Sequence, residues 1–181
     1  KKVLKKGNLI LTEEVNNFEK SICEYTGAKY CLGLNSGTDA LMMSLWANGI
    51  GRGDEVITTP ISFIASIGAI VHVGAKPVFV DVGDDLNINP NLIENAITNR
   101  TKAIMPVHWT GRMCDMDKII KISNKYNLTI VEDAAQSMGA YYKNKHGGTF
   151  GKVAAFSAHP LKNLNAIGDS GFIITNNKKI Y

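Results

Sequence analysis

Apolar positions along this chain switch repeatedly between two periods. Val15, Phe18, Ile22 and Tyr25 recur at steps of three and four, the spacing of a single helical face. Thr12 stands where an N-cap belongs, Glu13 and Glu14 place acid in the first turn, and Gly27 suits the left-handed position beyond the end. Short runs rich in Val and Ile predict strands over 30–34, 55–59, 77–82, 103–108, 129–133, 153–158 and 171–175. Between them, helices are predicted from the small-residue turn Asn35-Ser36-Gly37 through Trp46, over 61–71, after Asn89-Pro90 with proline at the first helical position, and over 116–126. Strands alternating with helices predict an α/β fold: three layers, with a mostly parallel sheet covered on both faces.

Such sheets gather ligands outside the carboxyl ends of their strands. Asn35-Ser36-Gly37, Pro60, His108 and Asp133 all fall at predicted carboxyl ends, so one shared site is expected there. The 181 residues suit a single domain, 1–181, with no repeat or linker. A hydrophobic content of 45% and a charged content of 20% are those of a globular chain. The net charge of +4 comes with lysines clustered at both ends (Lys1, Lys2, Lys5, Lys6; Lys178, Lys179), which read as solvated tails. No aromatic-interleaved basic stripe accompanies them, so nucleic acid is not an expected partner. Cys23, Cys31 and Cys114 show no metal-ligand spacing and read as ordinary thiols, so no metal is expected. With no apolar run of membrane-spanning length and no signal-peptide core, the expected location is the cytoplasm, without a membrane.

The candidate chemistry lies at the strand ends. Ser36-Gly37-Thr38 opens a helix, where free main-chain N–H groups and the helix dipole attract a phosphate; a plain N-cap at Ser36 is the alternative. Asp133 ends an apolar strand, where an unpaired carboxylate is costly. It reads either as a capping or salt-bridged group or as the partner of a pyridinium nitrogen. At ~4 Å and an effective dielectric of about 20, the latter pair is worth roughly 4 kcal/mol. Lys162 follows the apolar segment 153–158 between Leu161 and Leu164, a setting that would desolvate its amine and favour the nucleophilic form. Ser157, five residues earlier, offers a hydroxyl for a phosphate. An acid for a ring nitrogen, an anchor for a phosphate and an amine for an aldehyde are together what pyridoxal 5'-phosphate (PLP) requires. Phe63 reads as a core aromatic or as a ring-stacking group. His108 reads as a substrate contact or a backbone partner, and the role of His159 stays open.

Two glycine-rich stretches are not phosphate loops. In 147–152, His146 occupies the first glycine position of the P-loop pattern, and Val153 replaces its Ser/Thr. Gly49-Ile50-Gly51-Arg52-Gly53 precedes a strand instead of following one.

Taken in order, Asn35-Ser36-Gly37-Thr38-Asp39-Ala40-Leu41, Gly53-Asp54-Glu55-Val56-Ile57, Glu132-Asp133-Ala134-Ala135-Gln136 and Phe156-Ser157 with Lys162-Asn163-Leu164 and Gly168-Asp169 closely resemble the DegT/DnrJ/EryC1/StrS sugar aminotransferases. Pro60-Ile61-Ser62-Phe63 and Val107-His108-Trp109-Thr110-Gly111 match more loosely. The resemblance implies the large domain of a fold-type I PLP-dependent transferase, with the family's small C-terminal domain lying outside this chain. It implies amino transfer from glutamate to a nucleotide-linked keto-deoxysugar for amino-sugar or surface-glycan synthesis, by a homodimer with shared active sites. By matched position, Lys162 would be the catalytic amine bonded to the cofactor, and Asp133 would pair with the ring nitrogen. Gln136 would lie against the ring's substituent edge, Gly37, Thr38 and Ser157 would hold the phosphate, and Phe63 would stack on the ring. Some relatives carry histidine in place of the lysine and are sugar dehydratases, a branch that Lys162 argues against. A PLP-dependent sugar dehydratase or lyase is one rival reading. A non-catalytic chain that only dimerises is the other.

Overall fold

The computed structural model describes residues 2–7 and 10–181. Strands β1 (Tyr30–Leu34), β2 (Glu55–Thr58), β3 (Lys76–Phe79), β4 (Thr101–Ile104) and β5 (Thr129–Asp133) are separated by helices. The hairpin β6 (Tyr141–Tyr142) and β7 (Lys145–His146) stands apart, and β8 (Val153–Ser157) and β9 (Gly171–Thr175) complete the main sheet. That sheet has seven strands in the order β1-β9-β8-β5-β4-β2-β3. The pairs β8–β5, β5–β4, β4–β2 and β2–β3 are parallel, and β9 runs antiparallel to both its neighbours. The expected mostly parallel sheet is therefore present, with one reversed strand.

Period-two alternation sorts the sheet's side chains into two cores. Val56, Ala103, Val131, Val153, Ala155 and Ile173 face α3 (Gly37–Ala47) and α4 (Ile64–His72) through Leu41, Leu45, Ala69 and Ile70. Their chain neighbours Ile57, Ile104 and Ile130 face α6 (Met116–Tyr126) through Met116, Ile119 and Ile122. On that same side Ala154, Phe156, Phe172 and Ile174 meet Phe18 and Ile22 of α2 (Glu13–Thr26). Helices on both faces give the three layers.

Several element boundaries differ from the sequence expectation. The strand expected over 103–108 covers only Thr101–Ile104, because Pro106 offers no N–H to a ladder. Pairing returns only as a single bridge from Val107 to Asp133. Residues 61–63 are bent instead of helical, and α4 begins at Ile64. Edge strand β3 stops at Phe79, and the helix after Asn89 (α5, Pro90–Ile93) has only four residues. Thr12 occupies the N-cap position with extended backbone but makes no side-chain cap, and Tyr25 is exposed instead of lying on the buried face. The N-terminal lysines belong to a short helix, α1 (Lys2–Lys6), not a fraying tail; Lys1 lies outside the described residues. Gly27 takes the left-handed C-cap as expected, with φ 76°.

Candidate active site

Five strand ends and the start of β9 meet along one edge of the sheet, and a cavity of about 410 Å³ opens there. Gly37, Thr38, Phe63, Asp133, Gln136, Ser157 and Lys162, the seven expected site residues, all line it. His108 and His159 line it too.

The helix-start end of the cavity is built from two close approaches. Ser36 caps α3 by accepting from the Asp39 N–H at 3.0 Å, which leaves the Gly37 and Thr38 N–H groups without an acceptor among the described residues. Ser36 is thus an N-cap, and the next two amides stay open at the positive end of the helix. A Cβ on Gly37 would lie 2.7 Å from Ser157 Cβ, so glycine lets the helix start lie directly against the Ser157 hydroxyl. Gly171 at the start of β9 is equally constrained, since its Cβ would fall 2.3 Å from the Ser36 main chain. Ser157 Oγ accepts the His159 N–H at 3.3 Å, which keeps its own proton available to a ligand oxygen.

Asp133 forms the opposite wall. It is 4% exposed, and among the described residues it has no salt-bridge partner. Its Oδ2 accepts from Ser66 Oγ at 2.6 Å and its Oδ1 from the Ala135 N–H at 3.2 Å. Burial pushes its pKa above the usual carboxylate range, against the Ser66 and Ala135 hydrogen bonds and the fields of His108 and Lys162. A cationic group in the cavity would relieve that cost.

Lys162 stands on an irregular turn after β8, where its N–H donates to the His159 carbonyl at 2.8 Å and the Leu161 N–H donates to His159 Nδ1 at 3.2 Å. Leu161 is 88% exposed and does not shield the lysine as expected; Leu164 packs into the core beneath, and Lys162 itself is half-buried. His159 thus shapes the turn that carries the amine. Gln136 Oε1 accepts the Thr110 N–H at 3.0 Å, which ties the loop after β5 to the one after β4. Phe63 is 63% exposed at the cavity mouth, so it is not a core aromatic.

His108 is fully buried, and its role is mainly internal. The Cys114 N–H donates to Nδ1 at 3.3 Å, and Nε2 lies 2.9 Å from Glu132 Oε2. Glu132 also accepts the N–H groups of Gly148, Phe150 and Gly151 at 2.8, 2.8 and 2.5 Å. The rejected glycine-rich stretch is indeed an anion cradle, and the anion it holds is the chain's own carboxylate. Sequence reasoning missed this role of Glu132 and missed Ser66. The one signal for Ser66 was an isolated hydroxyl in the apolar run 64–71. Among the described residues no cluster suits a metal ion, and no helix is long and apolar enough to cross a membrane. Cys23, Cys31 and Cys114 are free thiols.

Comparison with known proteins places this geometry. The model of the DegT/DnrJ/EryC1/StrS aminotransferase family matches residues 1–181. A dTDP-3-amino-3,6-dideoxy-alpha-D-galactopyranose transaminase of Aneurinibacillus thermoaerophilus is 49% identical over 180 residues, covering 99% of this chain and 50% of that protein. A UDP-2-acetamido-2-deoxy-3-oxo-D-glucuronate aminotransferase of Pseudomonas aeruginosa is 44% identical over 180 residues, with the same coverage of 99% and 50%. The crystal structure of NtdA from Bacillus subtilis with bound cofactor PMP superposes with a TM-score of 0.94 at 37% identity, covering 99% of this chain and 40% of that one. The chain thus spans about half the length of the curated relatives it matches. Its mostly parallel sheet agrees with the fold-type I architecture of PLP-dependent aminotransferases. Matched by the family model along its whole length and close to half identical to these transaminases, the chain belongs to the DegT/DnrJ/EryC1/StrS aminotransferase family.

Proposed function

We propose that this chain is the PLP-binding large domain, 1–181, of a cytoplasmic aminotransferase that moves an amino group from L-glutamate to a nucleotide-linked keto-deoxysugar. The observation that carries this reading is the single cavity with Asp133 buried in one wall, Lys162 on a turn in another, and an open helix start beside Ser157. These residues fit the cofactor. Gly37 and Thr38 amides and the Thr38 and Ser157 hydroxyls would hold its phosphate, Asp133 would face its ring nitrogen, Phe63 would stack on the ring and Gln136 would lie against its substituent edge. When bound, PLP supplies an electron sink that makes a proton on an amine-bearing carbon removable.

The chain's own part is positional and acid–base. Asp133, in its ionised form, would keep a proton on the ring nitrogen. Lys162 Nζ would hold the cofactor through its aldehyde, and as a free amine it would be the base placed to take the α-proton of glutamate and return it elsewhere. Gln136 and Lys162 also border an adjoining cavity of about 660 Å³ beside Gly139 and Asn163, which supports approach of a bulky substrate from that side. Exposed Phe63 and Ile64 beside the mouth support completion of the site by a second copy of the chain. The relatives' names support a nucleotide-sugar acceptor for use in amino-sugar or glycan synthesis.

The test uses the complete protein. Loaded with PLP, it should show the visible absorbance of lysine-bound cofactor and release an aminated sugar from glutamate plus a nucleotide-linked keto sugar. Lys162→Ala should lose both. An unchanged spectrum in that variant would sink the reading; loss of water from the sugar without amination would support the dehydratase or lyase instead.

A further inference from the structure

We propose that Ser66, backed by Ser62, is a positioning residue for Asp133, fixing the direction in which the carboxylate faces the cavity and favouring its charged form before any ligand arrives. This rests on reading the cavity as a PLP site. Ser66 lies in the first turn of α4 and is 1% exposed, the lone hydroxyl in a helix otherwise made of Ile, Ala, Gly and Val up to His72. A buried serine in a helix ordinarily returns its proton to the carbonyl four residues back. Here the proton crosses from helix to sheet, and Ser66 Oγ lies 2.6 Å from Asp133 Oδ2.

Ser66 has a single hydroxyl proton. Given to Asp133, it leaves only lone pairs toward Ser62, whose hydroxyl touches Ser66 Oγ and must therefore be the donor there. The chain Ser62 to Ser66 to Asp133 is thus polarised in one direction, and each link strengthens the next. With the Ala135 N–H on Oδ1, two of the roughly four acceptor positions of the carboxylate are filled by the protein. The other titratable groups acting on Asp133 are His108, after β4, and Lys162, after β8. Burial alone would favour the protonated acid, which offers no negative charge to a ring nitrogen. The Ser66 hydroxyl is the largest influence in the opposite direction.

The decisive measurement follows the Asp133 side-chain carboxyl by carbon NMR in the complete protein without cofactor, with Asp133→Asn identifying the signal. In Ser66→Ala the titration midpoint should rise by roughly one to two pH units, the worth of a hydrogen bond to a charged group. Ser62→Ala should move it less and in the same direction, and Ser66→Thr, which keeps the hydroxyl, should restore it. Affinity for PLP, read by absorbance titration at a pH below the wild-type midpoint, should fall by up to about tenfold for each pH unit of midpoint shift in Ser66→Ala and recover in Ser66→Thr, because only the ionised fraction of Asp133 pairs with the ring nitrogen. A midpoint unmoved in Ser66→Ala overturns the proposal. Should that variant not fold, Ser62→Ala decides alone, and no shift there overturns it equally. A wild-type protein that never binds PLP would defeat the functional reading while leaving the Asp133 titration readable.

Discussion

Glu132 and Asp133 are consecutive residues of β5, both buried, and they face opposite sides of the sheet. Glu132 accepts four hydrogen bonds: three main-chain N–H groups of the Gly148–Gly151 loop and the His108 ring. Asp133 accepts two, from Ser66 and Ala135, and its remaining capacity faces a cavity. One carboxylate is saturated and knits the scaffold; the other is left short of donors and strained toward protonation. A buried charge without a full set of donors is costly, and on the proposed reading a cationic ligand in the cavity would offset that cost.

The sharpest way to break this comparison is to exchange the costs. Glu132→Ala removes the shared acceptor of three amides and an imidazole. At about 1–3 kcal/mol for each buried donor left unpaired, the loss should reach roughly 3–5 kcal/mol or more, a large part of a domain's stability. Denaturant unfolding measures it, and a change below about 1 kcal/mol would remove Glu132 from its structural role. Asp133→Asn should do the reverse. The fold should survive with equal or greater stability, while PLP affinity drops by about 100- to 1,000-fold if a pair worth up to roughly 4 kcal/mol is lost. Absorbance titration reads the affinity, and near-wild-type binding would count against the pyridinium assignment.

The two carboxylates were not equally legible. Asp133 stood out because it closes a short Ile-Val strand at the sheet edge where ligands gather, and that run set the strand's bounds to the residue. The same held for 116–126 and 171–175, where clear periodicity and bounding residues agree with the folded elements. Glu132 looked like part of a motif and no more, because its four donors lie 16 to 24 residues away and meet it only in three dimensions. Ser66 was hidden for the opposite reason: its helix reads as plain core, and nothing local aims its hydroxyl across to β5. Leu161 misled because adjacency in sequence was taken for shielding, whereas the turn swings it into solvent. What the fold brings together from afar, in short, was the part that local patterns could not carry.

Glycines test the same contrast by shape. Gly148 has φ 89°, and a Cβ there would meet the Phe156 ring at 2.6 Å, on the Glu132 side. Gly148→Ala combines backbone strain with overpacking, at about 1–3 kcal/mol for the latter alone, and should lower the melting temperature whether or not cofactor is present. Gly37→Ala, on the Asp133 side, forces apart the helix start and Ser157. Its larger effect should be on PLP affinity, weakened by roughly tenfold or more if one phosphate contact worth ~1.5–3 kcal/mol is lost. Equal effects of both variants on stability and on affinity would erase the division between the two sides.

The smallest effect is a dependence on pH, and its sign is set by Asp133. Burial raises this carboxyl's pKa, so the folded chain without cofactor binds the proton more tightly than the unfolded chain does. Stability from this group is present below the unfolded value of about 4 and is lost as pH rises through the higher folded value. Asp115, beside Lys118 and Tyr142, is shifted downward despite its burial and contributes with the opposite sign, as do Glu55 and Glu94, so the whole-protein curve mixes several groups. The difference between wild type and Asp133→Asn cancels the groups that do not interact with Asp133. On acidification from about pH 7 to about pH 4, the cofactor-free wild type should gain stability relative to the variant, by at most about 1.4 kcal/mol per pH unit. Saturating PLP should shrink or invert that gain, because a cation beside Asp133 favours its charged form. A difference curve that stays flat in both conditions would mean that burial leaves the Asp133 carboxylate unstrained.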